Sequence, residues 1–414
     1  MSAAACAAEI SRAAGRELSD DEIIAIAEAV QTRRKALERE FGPNATDQKL
    51  LEQARADGEA EVRRRAHERR LIALRIIKRD KRDRQIDSFI GEGAAYDDAL
   101  RWTLEGTVRG YKGGRRSAAA HRLAYESRYL GGMVTRLQRE LPHLLSDRAK
   151  LLHDRKFNAD VVREMHQPGA TRNADARRLA EIFAEVTEAS RQDLNRLGAD
   201  IGKLEGWAGS QSHDPDKLLA AGEDAWIAEQ MQRLDLERSF GDEAGDAEAI
   251  LRTSWRTIVT GVQPGLNPRR VGQQTQPANV ARSLGKERIF HYKSADDWLA
   301  YHEQFGGMTL AAGMIQHLKR NASTAAQMEM FGPEPEAMIA SISEALKQRA
   351  RELLPPKEAA EQAQKLSVDE GPLRQAIDEM TGLTSSPVAR SAAKIASNIR
   401  LWQSISKLGG AVIS

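Results

Sequence analysis

Cysteine is nearly absent from this sequence: its 414 residues include only one, Cys6. A single cysteine excludes an internal disulfide framework and indicates folding in a reducing cytoplasm. The nine histidines are scattered, and no two of them lie three to five positions apart. Neither a CxxC nor an HExxH sequence occurs. Because zinc and iron sites depend on such closely spaced ligands, we expect no metal ion and no other cofactor.

Long apolar runs are also missing. No stretch of about 18 consecutive apolar residues occurs, so no ordinary membrane-spanning helix is predicted. The amino-terminal sequence MSAAACAAEISRAAG lacks the basic and then apolar pattern of a signal peptide. The net charge is only +2, so the overall charge favours no particular partner.

Aromatic residues make up only 5% of the chain, yet five of them lie in RIFHYKSADDWLAYHEQFG, residues 288–306. Ser294 followed by acidic residues predicts a helix start, after which the aromatic side chains share one helix face. A stacking platform for nucleic acid is the alternative, but it favours basic residues and this helix is acidic. We expect a core or subunit contact formed by Phe290, Tyr292, Trp298, Tyr301 and Phe305, with a further apolar contact at Leu401 and Trp402.

Charged and helix-favouring residues dominate the chain, since 29% of its residues are charged and 41% are hydrophobic. This mixture is typical of long helices with ion pairs on their exposed faces, and no convincing pair of strands is found. We predict an all-α protein, an elongated assembly of long amphipathic helices with at most a short strand near 288–292. One very long helical pattern starts at Thr46 and runs to about Ile90, with an apolar stripe of Ile72, Ile76, Ile86 and Ile90.

The chain is divided into four regions by its pattern of helices and breaks. Residues 1–145 form an amino-terminal long-helix region, 146–262 a central helical region, 263–287 an irregular linker and 288–414 a carboxy-terminal helical domain that contains the aromatic block. The sequence ends within an apolar run, LGGAVIS. We therefore expect the carboxy-terminal domain to continue in a longer polypeptide; the alternative is that this apolar end packs into a core or against a partner.

The strongest charge feature is a basic helix at 62–84, which carries 11 basic and 3 acidic residues. Such a face binds phosphates without reading base sequence. The alternative is a solvated helix face paired with acidic neighbours such as Glu38, Glu40, Glu59 and Glu61. The candidate nucleic-acid contacts are Arg63, Arg64, Arg65, Arg69, Arg70, Arg75, Lys78, Arg79, Lys81, Arg82 and Arg84.

Three short motifs are similar to catalytic or phosphate-binding sites. SHDPD at 212–216 is similar to a metal site, but a helix start capped by Asp214 or Asp216 is favoured. The glycine-rich basic stretch at 110–116 lacks the spacing of a P-loop. Glu126-Ser127 resembles the pair that opens lytic transglycosylase sites, although the expected Gly-Leu-Met-Gln stretch does not follow. We expect no catalytic residue and no enzymatic activity, with a peptidoglycan-degrading enzyme that uses Glu126 as the alternative.

Five blocks together resemble segments of the large internal virion proteins of short-tailed bacteriophages and related prophages, which are called ejection or internal core proteins. The blocks are GSQSHDPDKL (209–218), SWRTIVTGV (254–262), RIFHYKSADDWLAYHEQFG (288–306), NASTAAQMEMFGPEPEAMI (321–339) and SNIRLWQSISKLGGAVIS (397–414). The resemblance covers roughly residues 205–414, and the order and spacing of the blocks are more specific than any single block. Residues 1–200 share only general features with this class of proteins: a helical pattern, a high content of Arg and Glu, and few aromatic residues.

The resemblance implies a structural virion protein that is made in the host cytoplasm and packaged in the capsid interior or the portal and tail region. Such proteins leave with the genome, form homo-oligomers and help to deliver it across the host envelope. The implied partners are portal, tail or other ejection proteins and the host envelope. Some relatives carry a transglycosylase or an RNA polymerase elsewhere in the polypeptide, but this sequence contains neither motif. A helical protein that binds double-stranded DNA without sequence preference is the other alternative, and it is compatible with a virion role.

Overall fold

The computed structural model describes residues 47–106, 117–146, 153–203, 212–260 and 290–381, together with the single positions 24, 28 and 32. About 82% of it is helical, and the described residues contain no strand and no sheet. The predicted all-α fold class is therefore confirmed. The predicted linker at 263–287, the basic turn at 110–116, Cys6, Leu401 and Trp402 lie outside the described residues.

The described residues form sixteen α-helices, numbered α1 to α16. They are α1 (Asp47–Gly91), α2 (Tyr96–Glu105), α3 (Ala118–Glu126), α4 (Gly132–Glu140), α5 (Pro142–Ser146), α6 (Arg155–His166), α7 (Ala174–Arg196), α8 (Pro215–Ala221), α9 (Glu223–Arg233), α10 (Leu236–Phe240), α11 (Ala247–Thr260), α12 (Ala295–Phe305), α13 (Leu310–Phe331), α14 (Pro335–Leu353), α15 (Pro356–Lys365) and α16 (Gly371–Thr381). A π-helical turn at Ser127–Gly131 joins α3 to α4, and a 3₁₀ helix at Gly241–Asp246 joins α10 to α11.

The long helix α1 has 45 residues, as the pattern from Thr46 to Ile90 predicts. Its sequence contains no proline, and it carries Arg64–Glu68 and Asp80–Arg84 ion pairs at a spacing of four residues, which stabilise a helix. By its contacts the chain divides into two units, Met1–Ile76 and Ile77–Ser414, and α1 contributes residues to both.

The predicted apolar stripe of α1 is only partly correct. Ile86 is buried and Ile90 is half-buried, but Ile72 and Ile76 are 53% and 64% exposed. The spacing of apolar residues identifies a helix face, but it does not reveal which turns of that face are packed against other helices. The turns that are covered bury two cations, Lys78 and Arg82, beside Ile86 and Phe89.

Two hydrophobic clusters form the core of the second unit. The larger cluster runs from Tyr125 on α3 through α6, α7 and α12 to Met328 on α13. The smaller cluster combines Ile86 on α1 with residues of α2, α14, α16 and the end of α13. Each cluster therefore draws on more than one of the regions delimited from the sequence. Burying a side chain such as Phe331 stabilises the fold by about 1.5–3 kcal/mol.

Helix α13 belongs to both clusters and packs along α3. Its buried face is rich in alanine, including Ala322, Ala325 and Ala326, and α3 begins with the buried Ala118. Small side chains let two helices approach closely, so this pair positions the polar side chains that follow on each helix. Glu329 on α13 and Tyr125 on α3 are two of those side chains.

The chain between Pro215 and Phe240 is divided into three short helices. It breaks at Gly222, whose φ of 85° ends α8 and precedes α9. It breaks again at Leu234, which forms an antiparallel bridge with Tyr292. This isolated bridge is all that the described residues retain of the short strand predicted near 288–292. None of the helices in the described ranges combines the length and apolar character that crossing a bilayer requires.

Candidate functional site: the basic helix and its buried charge network

The eleven candidate phosphate contacts on α1 do not form one continuous exposed face. Lys78 and Arg82 are only 8% and 9% exposed, and Arg75 and Arg79 are half-buried. The other seven basic side chains are exposed; they are Arg63, Arg64, Arg65, Arg69, Arg70, Lys81 and Arg84. The assignment of Lys78 and Arg82 to a phosphate-binding face is therefore wrong, because both side chains point into the core of the second unit.

Lys78 is held by Glu329 on α13. Its Nζ lies 2.9 Å from the Glu329 carboxylate and also donates to the backbone carbonyl oxygen of Glu329. Burial acts to raise the pKa of Glu329, but the hydrogen bond from Lys78 and the nearby cations outweigh it and keep that pKa below its ordinary value. Glu329 thus favours its charged form, and its contacts with Lys78 fix the turn of α1 that carries the lysine.

Arg82 lies one turn further along α1, and its buried positive charge is less well balanced by nearby acceptors than that of Lys78. Its guanidinium contacts Gln85 on the same helix and the Met330 sulfur at 3.4 Å. Burial lowers the pKa of Arg82 to about 10, an effect that Glu329 partly offsets. Two further contacts tie this half of α1 to α14: Arg79 donates to the Ser341 hydroxyl at 2.8 Å, and Arg349 pairs with Asp87.

Glu329 connects α1 to a chain of polar contacts inside the larger cluster. Arg196 on α7 donates to the Tyr125 hydroxyl at 3.1 Å, and that hydroxyl lies 3.3 Å from the second Glu329 oxygen. Arg196 also approaches Glu329 and Asp193, each at 3.7 Å. Burial first, and then Glu329, raise the pKa of Tyr125, so its hydroxyl keeps its proton and can donate it.

Asp193 is the second acid of the network, and it holds the π-helical turn. It is buried, accepts a hydrogen bond from the Tyr129 hydroxyl at 3.0 Å and pairs with Arg128 at 3.0 Å. Burial first, and then Asp193, raise the pKa of Tyr129 above its ordinary value. The inserted residue of a π-helical turn re-aims the side chains around it, and such turns are frequent at functional sites. Here the turn brings Arg128 and Tyr129 to the same carboxylate.

Glu126, the residue of the enzymatic alternative, precedes this turn. Its carboxylate lies 3.8 Å from Arg122 on the same helix. It lines neither of the two cavities described below. Glu126 thus lies on a helix face beside a cation, away from these two cavities.

The aromatic block lies in the core. Tyr292, Trp298, Tyr301 and Phe305 are buried in the larger cluster, and Phe290 packs against it. The Tyr301 hydroxyl accepts a hydrogen bond from Trp226 at 3.1 Å and lies 2.7 Å from Nδ1 of His213. The helix start predicted at Ser294 is present, since its hydroxyl accepts from the backbone amide of Asp297. The block therefore holds α12 against α8 and α9.

The SHDPD sequence is a helix start. Asp214 caps α8 by accepting from the backbone amide of Asp216 at 3.1 Å, with Pro215 as the first helical residue. His213 faces Tyr301 and Phe290, and burial lowers its pKa to about 4. No group of three or more potential metal ligands occurs among the residues that the structure describes. The interpretation of SHDPD as a cap is therefore confirmed.

A groove of about 1000 Å³ lies between α6, α12 and the start of α13. Its walls include Val162, Trp298 and Leu299. The Trp298 indole stacks on the His302 imidazole with ring centroids 4.9 Å apart. A smaller cavity of about 160 Å³ lies elsewhere, between α2, α3, α13 and α16.

Sequence reasoning missed every acid of the network. The signal for Glu329 was present, because it is a single charge within the apolar stretch Met328-Glu329-Met330-Phe331, where an unpaired carboxylate would be costly. No local signal marks Asp193, Tyr125 or Tyr129, whose partners lie far away in the sequence.

Comparisons of the chain with models of protein families, with curated proteins and with solved structures find no match.

Proposed function

We propose that this protein is a structural virion protein of a tailed bacteriophage, an internal or ejection protein that forms homo-oligomers and helps to deliver the genome across the host envelope. The observation that carries the proposal is the division of α1. Its carboxy-terminal turns are anchored in the core by Lys78, while the turns before them present exposed isoleucines and arginines. Exposed apolar side chains on an anchored helix are typical of a surface that binds another protein.

The blocks that resemble ejection proteins support a structural role. Four of the five lie at least partly in the described residues. Their residues cap helices, as Asp214 and Ser294 do, or pack in the core, as Tyr301 and Phe331 do. A resemblance carried by helix caps and core residues concerns the fold. It therefore favours a shared structural role over a shared catalytic site.

The proposed location is the capsid interior or the portal and tail region, with the host envelope as the destination during infection. The proposed partners are further copies of the chain and portal, tail or other ejection proteins. A fold of packed helices without disulfides suits delivery by partial unfolding, because opening it breaks only helix–helix packing and the polar contacts between helices.

Analysis of purified particles tests the proposal. Mass spectrometry of density-purified virions should find peptides of this chain in several copies per particle. Added protease should leave them intact until the particle is opened. Accumulation of the chain in the producing cell together with its absence from intact particles would contradict the proposal.

Sequence-independent binding to double-stranded DNA is a second candidate function, and the exposure of five arginines on α1 favours it. Arg63, Arg64, Arg65, Arg69 and Arg70 occupy two turns of the helix and are all exposed. Phosphate contacts of this kind give affinity that depends steeply on salt. This role can coexist with a place in the virion.

The enzymatic alternative, a peptidoglycan-degrading enzyme that uses Glu126, is not favoured by any contact of that residue. An assay of the purified chain on peptidoglycan decides the matter. We expect no release of soluble muropeptides by the wild-type chain. Release that disappears in the Glu126→Gln variant, with helicity unchanged, would establish the alternative.

A further inference from the structure

The groove beside Trp298 has two unlike ends. Arg155 at the start of α6 pairs with Glu303 near the end of α12 at 3.0 Å. Arg163 near the end of α6 pairs with Asp296 at the start of α12 at 2.8 Å. The two helices therefore run antiparallel, and one end of the groove combines the start of α6, the end of α12 and the start of α13. We call it the α13 end of the groove.

The α13 end carries more positive than negative charge. Lys156 lines the groove there and is exposed, and none of the ion pairs among the described residues includes it. Lys217 lies at the same end, because its Nζ donates to the backbone carbonyl of Gly306, which lines the groove, at 2.9 Å. The acid of this end, Glu303, is already matched by Arg155. Three helix ends meet there, and two of them, the starts of α6 and α13, are positive dipole ends.

Beyond this end the groove is mainly apolar. Val162, Trp298 and Leu299 form its walls, and the short side chains of Ala159 and Ala300 also line it. Between the two ion pairs it follows α6 for about 12 Å, at a rise of about 1.5 Å per residue. A volume of about 1000 Å³ is in the range of small-molecule sites.

The shape of the groove favours a slender occupant. Helices α6 and α12 pack directly against each other, and an ion pair joins them at each end of the groove. A third helix, with a diameter of about 10–12 Å, is too wide to lie between walls that are held together in this way. A single extended chain of apolar groups fits, because it needs only the space above the two alanines.

We infer that this groove binds a single-chain amphiphile with one negative charge, an alkyl carboxylate. The carboxylate lies at the α13 end near Lys156 and Lys217, and the alkyl chain extends along the apolar walls toward Val162. Burial of the chain supplies most of the affinity, and the excess of positive charge sets the orientation. Such a site is independent of the proposed function in the virion.

Isothermal titration calorimetry of the purified full chain with dodecanoate tests the site. The probe is kept below the concentration at which it forms micelles, and the wild-type chain should bind one dodecanoate. Dodecyltrimethylammonium has the same chain and the opposite charge, whereas butanoate has the same charge and a short chain. Each should bind weaker by about tenfold or more, because one of the two contributions is lost.

Charge reversal at the α13 end tests the role given to Lys156. Lys156→Glu should weaken dodecanoate binding by about tenfold or more, because it replaces an attraction with a repulsion. Lys357→Glu is the matched control: it makes the same change at an exposed lysine of α15 outside the groove and should leave the affinity unchanged. Both positions are exposed, so both variants should keep the helicity and melting temperature of the wild type.

A second readout locates the ligand in the groove. In a chain with Cys6→Ser and Ala300→Cys, saturating dodecanoate should slow the alkylation of the introduced thiol by iodoacetamide severalfold. The control chain carries Cys6→Ser and Leu123→Cys, at a position that is 63% exposed and outside the groove. Its rate of alkylation should not change when dodecanoate is added.

The inference is overturned if dodecanoate does not bind the folded wild-type chain. It also fails if Lys156→Glu and Lys357→Glu weaken binding equally, or if dodecyltrimethylammonium binds as well as dodecanoate, because the groove would then not select the charge. Other occupants have their own signatures, and each would overturn it. Binding to phosphatidylglycerol vesicles without binding of dodecanoate would assign a membrane surface. Self-association that Lys156→Glu abolishes, without binding of dodecanoate, would assign a second copy of the chain.

Discussion

Lys78 on α1 and Glu329 on α13 are 251 positions apart in the sequence, and the lysine donates hydrogen bonds to both the carboxylate and the backbone carbonyl of the glutamate. The pair joins the basic helix to the helix that belongs to both hydrophobic clusters. Loss of one partner would leave the other charge largely shielded from water, and such a charge is far more costly than a solvated one.

The first prediction follows from this difference in cost between a shielded unpaired charge and a solvated one. Lys78→Met should lower the free energy of unfolding by about 2–4 kcal/mol, because Glu329 loses its main hydrogen-bond donor. The double variant Lys78→Met with Glu329→Gln should recover part of the loss, because no unpaired charge remains. Chemical denaturation measures both. Arg64→Ala is the matched control: it removes an exposed pair on the same helix and should cost at most about 0.5 kcal/mol. A cost of Lys78→Met no larger than that of Arg64→Ala would contradict the role given to the pair.

The second prediction concerns Glu164, a buried carboxylate near the end of α6. It accepts hydrogen bonds from the backbone amides of Gly169 and Thr171 at 2.6 and 2.7 Å, and from the Thr171 hydroxyl and Arg177. Burial acts to raise its pKa, but these donors outweigh burial and lower the pKa to about 2. The charged carboxylate therefore holds the loop between α6 and α7.

Because the folded-state pKa of Glu164 lies below its ordinary value of 4.5, its contribution to stability is present above about pH 4.5 and is lost as the pH falls toward 2. Glu164→Gln should lower the free energy of unfolding at neutral pH by about 2–4 kcal/mol and flatten its dependence on pH in that window. Glu344→Gln, on a side chain that is 66% exposed, is the control and should change little. A pH dependence identical to that of the wild type would show that Glu164 does not act in this way.

The third prediction concerns His213, whose pKa burial lowers to about 4. The Tyr301 hydroxyl accepts from Trp226, which leaves it free to donate its own proton to Nδ1 of a neutral His213. A protonated His213 could not accept that bond. The folded state therefore favours the neutral ring: this contribution is complete above the ordinary pKa of 6.5 and is lost as the pH falls from 6.5 toward 4.

Urea denaturation at several pH values checks the role of His213. The wild-type chain should lose stability between about pH 6.5 and 4, and His213→Asn should lose less over the same interval, because asparagine does not titrate. This window lies above the one assigned to Glu164, so the two effects separate. Tyr301→Phe should cost about 1–2 kcal/mol at neutral pH, because Trp226 and His213 both lose a partner. Equal pH dependence in the wild type and in His213→Asn would contradict the assignment.

Local structure could be predicted from the sequence because its signals are local. The long helix α1, the cap at Asp214 and the helix start at Ser294 depend on residues within one turn, and the structure contains all three. The burial of Lys78 could not be predicted, because a basic residue on a basic helix is normally solvated and only Glu329, far away in the sequence, explains its position.

The groove and the exposed part of α1 illustrate the same limit at the level of surfaces. Trp298 and its neighbours carry a clear core signal, and most of the block is indeed buried. The groove beside Trp298 is formed because α6 packs against α12. No residue pattern in either helix predicts that contact. Similarly, Ile72 and Ile86 have the same residue type and nearly the same helix face, and only tertiary packing distinguishes the exposed side chain from the buried one.

The fourth prediction tests the exposed basic turns of α1 as a DNA contact. The affinity for double-stranded DNA should fall linearly with salt on a log–log plot, with a slope of about −0.9 for each phosphate neutralised. If Arg63, Arg64 and Arg65 contact phosphates, their replacement by alanine should reduce the slope by about 2–3 and weaken binding to every sequence equally. The control replaces Arg139, Arg155 and Arg320 by alanine, which removes the same charge from exposed positions outside α1. Equal slopes in the two triple variants would indicate that DNA senses only the overall charge, and α1 would then have no special part in binding it.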